Sequence, residues 1–408
     1  MSLAFKEDWE EAKRRLEAWW EGEVVDRVVI HVTAPRGRPL KEVKPLPAPR
    51  EMEPWDPKGQ APGWLLARCV SVWGTNPEGW KLEFLVNRYE LWFSRTFFGG
   101  ESFPQIWLNL GPGVLTSFLT GHWRFTGDTV WFSLPEPMGW EEIFALDLTP
   151  ENPYWRLTKW LAEELTEAGE GRFLVGTTDI GGVTDILASL RHNENLLLDF
   201  YDHPEEVRGA SRHITELWHR CYDELHAIIS KRQEGSCAWM EIWSPKRWYP
   251  LQCDFAYMIS PKAFEEFVLP HLAEQCRRLD HPVYHWDGPG QIPHLDLLLS
   301  IPELRAIQWV PGAGNPPIDD EVWFPLYKRI QAARKGLVLN GVRPERVEKL
   351  LSELEPEGLY ISTSCRTEGE ARELLCKAKQ WTARRRGVII EGFKEGGKQA
   401  HNQRSLGV

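Results

Sequence analysis

The chain has 408 residues, with 59 acidic against 48 basic side chains and a net charge of −11 at pH 7. That balance argues against nucleic acid or an anionic membrane surface as the main partner and leaves a small-molecule substrate as the default. The length suits one large enzyme-sized domain, no repeat divides it, and no stretch is apolar and long enough to span a bilayer.

Residues Met1 to Trp20 mix Trp9, Leu16, Trp19 and Trp20 at helical intervals with Glu, Lys and Arg, which predicts an amphipathic helix packed on the domain, within an N-terminal addition spanning 1–26. A strand from Arg27 to Val32 feeds the loop Thr33-Ala34-Pro35-Arg36-Gly37-Arg38-Pro39. Arg36 and Arg38 there form either a guanidinium clamp for a carboxylate or a solvated basic turn. Residues 41–150 read as a Pro- and Trp-rich insertion or cover. Its Pro45-Leu46-Pro47-Ala48-Pro49 segment is too extended for helix or central strand, so Lys41 to Gly63 is expected to be a wrapping arm or lid. The chain holds 22 tryptophans, more than a core of this size requires. Those from Trp55 to Trp140 are packing residues of a cover, or walls of a cavity for a sugar, a planar ring or a methylammonium group.

Asp179 lies where the apolar strand around Val175 meets the Gly181-Gly182 turn, so it is expected to face substrate; the glycine pair alone is a weak phosphate-loop signal. His203, His213, His219 and His226 fall on predicted helices as surface or packing residues. A strand from Cys237 to Ile242 carries Glu241 near its end. An inward carboxylate there serves as general acid/base or metal ligand, or else as a salt-bridged structural group.

From Pro282 onward the rhythm is βαβ. Strands Pro282–Tyr284, Leu304–Val310, Leu337–Asn340 and Leu359–Thr363 alternate with helices Ile292–Leu299, Val322–Ala333, Glu345–Glu353 and Glu368–Arg384, and a polar tail covers 387–408. Such units imply a parallel sheet, and successive ones favour an α/β fold of the (β/α)8 TIM-barrel kind, one domain over 1–408. Tyr284-His285-Trp286-Asp287-Gly288-Pro289-Gly290 places an imidazole and a carboxylate one residue apart where a strand runs out, the end at which barrels keep their chemistry. The seven cysteines are an odd set without paired short spacings, which predicts reduced thiols and a cytoplasmic protein.

Cys253-Asp254-Phe255-Ala256-Tyr257-Met258-Ile259-Ser260-Pro261, followed by Phe264 to Pro270, resembles a segment shared by uroporphyrinogen decarboxylases and their relatives. The resemblance covers residues from about 170 to 385 well and the first 150 loosely. Leu339-Asn340-Gly341-Val342-Arg343-Pro344 is similar to the family's Gly-Asn-x-x-Pro turn, and Gln308-Trp309-Val310 occupies its penultimate strand. The superfamily implies a (β/α)8 barrel and two chemistries. One is methyl transfer with corrinoids or thiols at a zinc site. The other is metal-free decarboxylation of a tetrapyrrole by arginines and an aspartate.

His285 matches the methyltransferase histidine, Asp287 stands where a cysteine is expected, and Cys365 falls at the family's last cysteine. The resemblance therefore implies a His285, Asp287, Cys365 metal set. Asp179, Glu241 and Asp254 are the candidate catalytic carboxylates; Arg36, Arg38, Asn109, Trp286, Gln308, Trp309 and Asn340 are the candidate substrate contacts. Asn109 sits near the expected position of the decarboxylase aspartate and cannot supply its charge. The expected activity is a zinc-assisted methyl transfer, with a corrinoid protein as partner. The alternatives are a carboxy-lyase acting on a tetrapyrrole and a non-catalytic, Trp-rich binding module.

Overall fold

The computed structural model describes residues 2–52 and 62–387; the middle of the expected arm, with Trp55, and all but the first residue of the 387–408 tail lie outside them. Helix α1 (Trp9–Trp20) precedes strand β1 (Val29–Pro35), helix α2 (Leu82–Arg95), β2 (Thr96–Gly100) and β3 (Gln105–Trp107). Then come α3 (Pro153–Gly169), β4 (Leu174–Gly176), α4 (Val183–Arg191), α5 (Asn193–Asp202) and the long α6 (Pro204–Ile229). The last part alternates: β5 (Trp248–Gln252), α7 (Leu269–Arg277), β6 (His281–Asp287), α8 (Leu295–Leu299), β7 (Ala306–Val310), α9 (Phe324–Ala332), β8 (Gly336–Asn340), α10 (Val347–Glu353), β9 (Leu359–Ser364) and α11 (Glu368–Arg385).

Seven strands form one sheet in the order β2-β1-β9-β8-β7-β6-β5, parallel throughout except where β2 pairs antiparallel with β1. A separate parallel pair joins β3 to β4. The architecture is thus mixed α/β around a mostly parallel sheet, as the βαβ rhythm predicts. Parallel neighbours need a crossover, and the helices that supply it cover one sheet face.

Side-chain alternation divides the strands between two cores. Ile30, Val32, Tyr284, Trp286, Ile307, Trp309, Leu337, Leu339 and Ile361 belong to the larger cluster, which includes α4, α6 and α10 residues. Val29, Val283, Ala306, Val338 and Tyr360 face the other way, here called the inner face, and meet Trp9, Leu16, Trp19 and Trp20 of α1. The amphipathic N-terminal helix is therefore present and closes the amino-terminal ends of the strands. Trp19 packs edge-on against Tyr360 at 5.7 Å, Trp20 stacks on His281 at 4.4 Å, and Trp20 Nε1 donates to the Trp243 carbonyl at 3.0 Å.

The strand expected over Cys237–Ile242 is shorter. Ser236–Cys237 pairs antiparallel with Trp243–Ser244, and between them the chain turns, with Glu241 N donating to Ala238 O at 3.1 Å. All seven cysteines are free, and Cys376 alone is exposed. Among the described residues no helix is long and apolar enough to cross a membrane.

Candidate active site at the carboxyl ends of β5 and β6

On β6 the period of two carries Val283, His285 and Asp287 to the inner face. His285 lies in register with Gln308 on β7, and its Nδ1 stands 2.6 Å from Gln308 Oε1. An amide oxygen only accepts, so Nδ1 carries a proton and donates, and Nε2 is the ring nitrogen that Gln308 leaves unengaged. Trp239 meets the imidazole edge-on at 5.1 Å and walls the ring in.

Gln252, the last residue of β5, is in register with His285, so Asp254 arrives two residues beyond on the same side. One ligand atom each from Asp254, His285 and Asp287 lie within 4.8 Å of one another. Burial raises the Asp287 pKa; His285 opposes the rise and Asp254 adds to it.

A second row of carboxylates supports the first. Asp185, in the first turn of α4, accepts from Asp254 N at 3.0 Å and from Phe255 N at 2.8 Å, which fixes the turn carrying Asp254. Asp179 is buried and accepts from Gly181 N at 3.0 Å. Burial, reinforced by Asp254, pushes both Asp179 and Asp185 up to about 7. Gly181 and Gly182 serve close packing. A Cβ on Gly182 would sit 2.3 Å from Gln252 O, and one on Gly181 2.6 Å from Gly113 Cα.

Glu241 occupies the left-handed region at φ 56°, a conformation that costs a non-glycine residue about 1 kcal/mol. Its Oε2 is 3.2 Å from His31 Nε2, and its carbonyl accepts the Tyr360 hydroxyl at 3.1 Å. Burial lowers the His31 pKa, although the nearby Glu241 carboxylate, itself half exposed, opposes the shift.

Several expected contacts lie elsewhere. Cys365 does not join His285 and Asp287: alternation from Tyr360 puts it on the helix side, in the larger core. There it lines a groove with Leu374, Lys377 and Trp381 of α11, and burial raises its thiol pKa. Trp286 and Trp309 also point to the helix side, their rings 4.6 Å apart, with Trp323 5.0 Å beyond Trp309. They hold α8 and α9 to the sheet and do not face the Asp254, His285, Asp287 cluster.

Arg36 is committed to Glu7 at 2.7 Å and Glu368 at 3.4 Å, over the Phe97 ring, while Arg38 is exposed. Asn109 closes a turn, donating to Gly63 O at 2.7 Å and accepting from Gly111 N. Asn340 shares the inner face with Val338, and its Oδ1 has no hydrogen-bond donor among the described residues. Several tryptophans of the first half are packing residues: Trp73, Trp80 and Trp160 form a chain with centroids 5.5 and 6.0 Å apart, and Trp92 packs on Phe98.

Of the residues singled out in the sequence, the structure brings His285, Asp287, Asp254 and Gln308 together, with Asp179 acting electrostatically on the same group; Asp185 and Trp239, which join them, were not singled out. An aspartate in a helix's first turn reads as an ordinary dipole partner, and Trp239 gave no periodic signal.

The donor set, one imidazole nitrogen with a fixed tautomer and two carboxylates, fits a divalent cation. No protein-family model matches the chain, and no curated protein matches it.

Proposed function

We propose that the chain is a (β/α)8-barrel enzyme of the uroporphyrinogen decarboxylase-like superfamily. In this reading it moves a methyl group between a small methylated compound, or a corrinoid carried by a partner protein, and a thiol or other acceptor. The observation that carries it is the gathering of Asp254, His285 and Asp287 at the carboxyl ends of neighbouring parallel strands, with Gln308 engaging only Nδ1 of His285. Backbone and side-chain bonds from Thr177 N to Cys237 O and from Gln105 Nε2 to Ala238 O link the β3–β4 arc to the Ser236–Cys237 segment, which supports the barrel.

These three side chains would hold a divalent ion such as zinc, which when bound supplies Lewis acidity and lowers the pKa of a coordinated thiol or water. With Asp254 in place of Cys365 the set is oxygen-rich, better suited to water, alkoxide or carboxylate ligands than to thiolate alone. Gln308 orients His285, Asp185 positions the Asp254 turn, and Glu241, steadied by His31, is the accessible proton acceptor. Decarboxylation of a polycarboxylate tetrapyrrole is the weaker reading, because Arg36 is tied to Glu7 and Glu368 and is not available as a clamp.

The test is elemental analysis of protein purified without chelator. Wild type and Cys365→Ala should carry near-stoichiometric divalent metal, while Asp254→Ala and Asp287→Ala lose it together with methyl transfer. Wild type that stays metal-free after zinc reconstitution, or metal lost in Cys365→Ala alone, overturns the reading.

A further inference from the structure

The opposite end of the sheet holds a second cavity, a cleft of about 440 Å³ between the C-terminal end of α1 and the amino-terminal ends of β7 and β8. That volume is within the range of ligand pockets, roughly 300–1,000 Å³. Its lining carries three cationic side chains, Arg305, Arg334 and Lys335, none of them in an ion pair among the described residues. Arg305 makes one long bond, Nε to the Asp280 carbonyl at 3.4 Å, and has no carboxylate partner among the described residues. Arg334 has no side-chain partner there at all. Lys335 follows it with Nζ on the carbonyls of Ile301, Pro302 and Leu304 at 2.7–3.1 Å, its charge in no ion pair among the described residues. Trp19 closes the wall and is 3 % exposed.

The acidic residues of the same wall are already neutralised from outside the cleft. Glu21 pairs with Lys246 at 3.5 Å, Glu355 with Arg385 at 2.6 Å and Glu357 with Arg386 at 2.9 Å. The local field is therefore positive although the whole chain is acidic.

A backbone observation points the same way. Arg334 follows the last turn of α9 with φ 57°, Arg334 N donates to Gln331 O at 2.8 Å, and Lys335 N reaches back to Ile330 O at 3.3 Å. This is the helix-terminating motif that favours glycine at the left-handed position. A guanidinium stands there against the preference of the backbone, at the rim of the cleft.

We propose that this cleft binds a small molecule carrying an oxyanion, phosphate or carboxylate, held by Arg305 and Arg334. Guanidinium groups bind such anions through paired N–H bonds, and each charge-assisted bond lost weakens binding by roughly tenfold or more.

Calorimetric titration of the full chain with pyrophosphate and, separately, citrate tests this at low ionic strength, with Arg305→Gln and Arg334→Gly beside wild type. Binding of at least one probe is expected, weakened by roughly tenfold or more in each variant; the probe that binds identifies the anion as phosphate or carboxylate. Arg334→Gly should at the same time raise Tm, since glycine relieves the left-handed strain. A residue kept only for structure would lose stability there and leave binding unmoved. Absence of heat with both probes at millimolar concentration, or binding unchanged in both variants, overturns the proposal.

Discussion

His285 owes its presentation to one neighbour. Because Gln308 Oε1 can only accept, replacing it with leucine leaves the Nδ1–H without a partner and frees the ring to rotate or change tautomer. Gln308→Leu is expected to weaken divalent-cation affinity by roughly 10–100-fold, read by competition with a chromophoric chelator. Asp179 gives a pH-dependent prediction. Its folded pKa of about 7 stands above the ordinary 3.8, so its contribution to stability is fully present below the ordinary value and is lost as pH rises through about 7. An asparagine keeps an acceptor for Gly181 N but carries no charge. The Tm difference between Asp179→Asn and wild type should therefore grow in favour of the variant between about pH 5 and pH 8, corresponding to on the order of 2–4 kcal/mol at most. A flat difference across that range would place the ionised form of Asp179 in a compensated site.

Among the elements, the turn between Ser236–Cys237 and Trp243–Ser244 carries strain at Glu241. Glu241→Ala and Glu241→Gly both remove the carboxylate that stands 3.2 Å from His31, and differ only in tolerance of φ 56°. The glycine variant should be more stable than the alanine variant by about 1 kcal/mol in denaturant unfolding, with both equally impaired in turnover. Gly182→Ala, by contrast, drives a Cβ into Gln252 O and Asp185 Oδ2, and neither the backbone nor a carboxylate holding the Asp254 turn can yield cheaply. A loss of about 3 kcal/mol, or failure to fold, is expected.

The same scale explains what was legible in the sequence. The four late strands announced themselves because each is apolar, β-rich and followed by a helix with its own period, and their observed bounds differ by a few residues at most. Trp248–Gln252 did not, since all five residues are buried and Pro250 argues against a strand; its place at the sheet edge is where proline is tolerated. Thr96–Gly100, ending in two glycines, looks like a turn and is an antiparallel edge strand. Cys365 was misplaced for a reason that parity could have shown: an even step from Tyr360 reaches Ser364, an odd step the thiol.

For the whole molecule, the Asp254, His285, Asp287 cluster at the carboxyl ends of the strands and the cationic cleft at the amino ends are separated by a core that α1 completes. Trp19 lines the lower cleft and packs on Tyr360, whose hydroxyl holds the Glu241 carbonyl. The position of α1 also has a consequence for biosynthesis. The helix leaves the ribosome early, yet its seat is assembled from Trp243, His281 and Tyr360, which are made hundreds of residues later. Until β9 has emerged, the indoles of Trp9, Trp19 and Trp20 have no finished surface to cover. Nascent chains halted before Leu359 should therefore display them to chaperones and proteases, and release of the full chain should withdraw them in a single step.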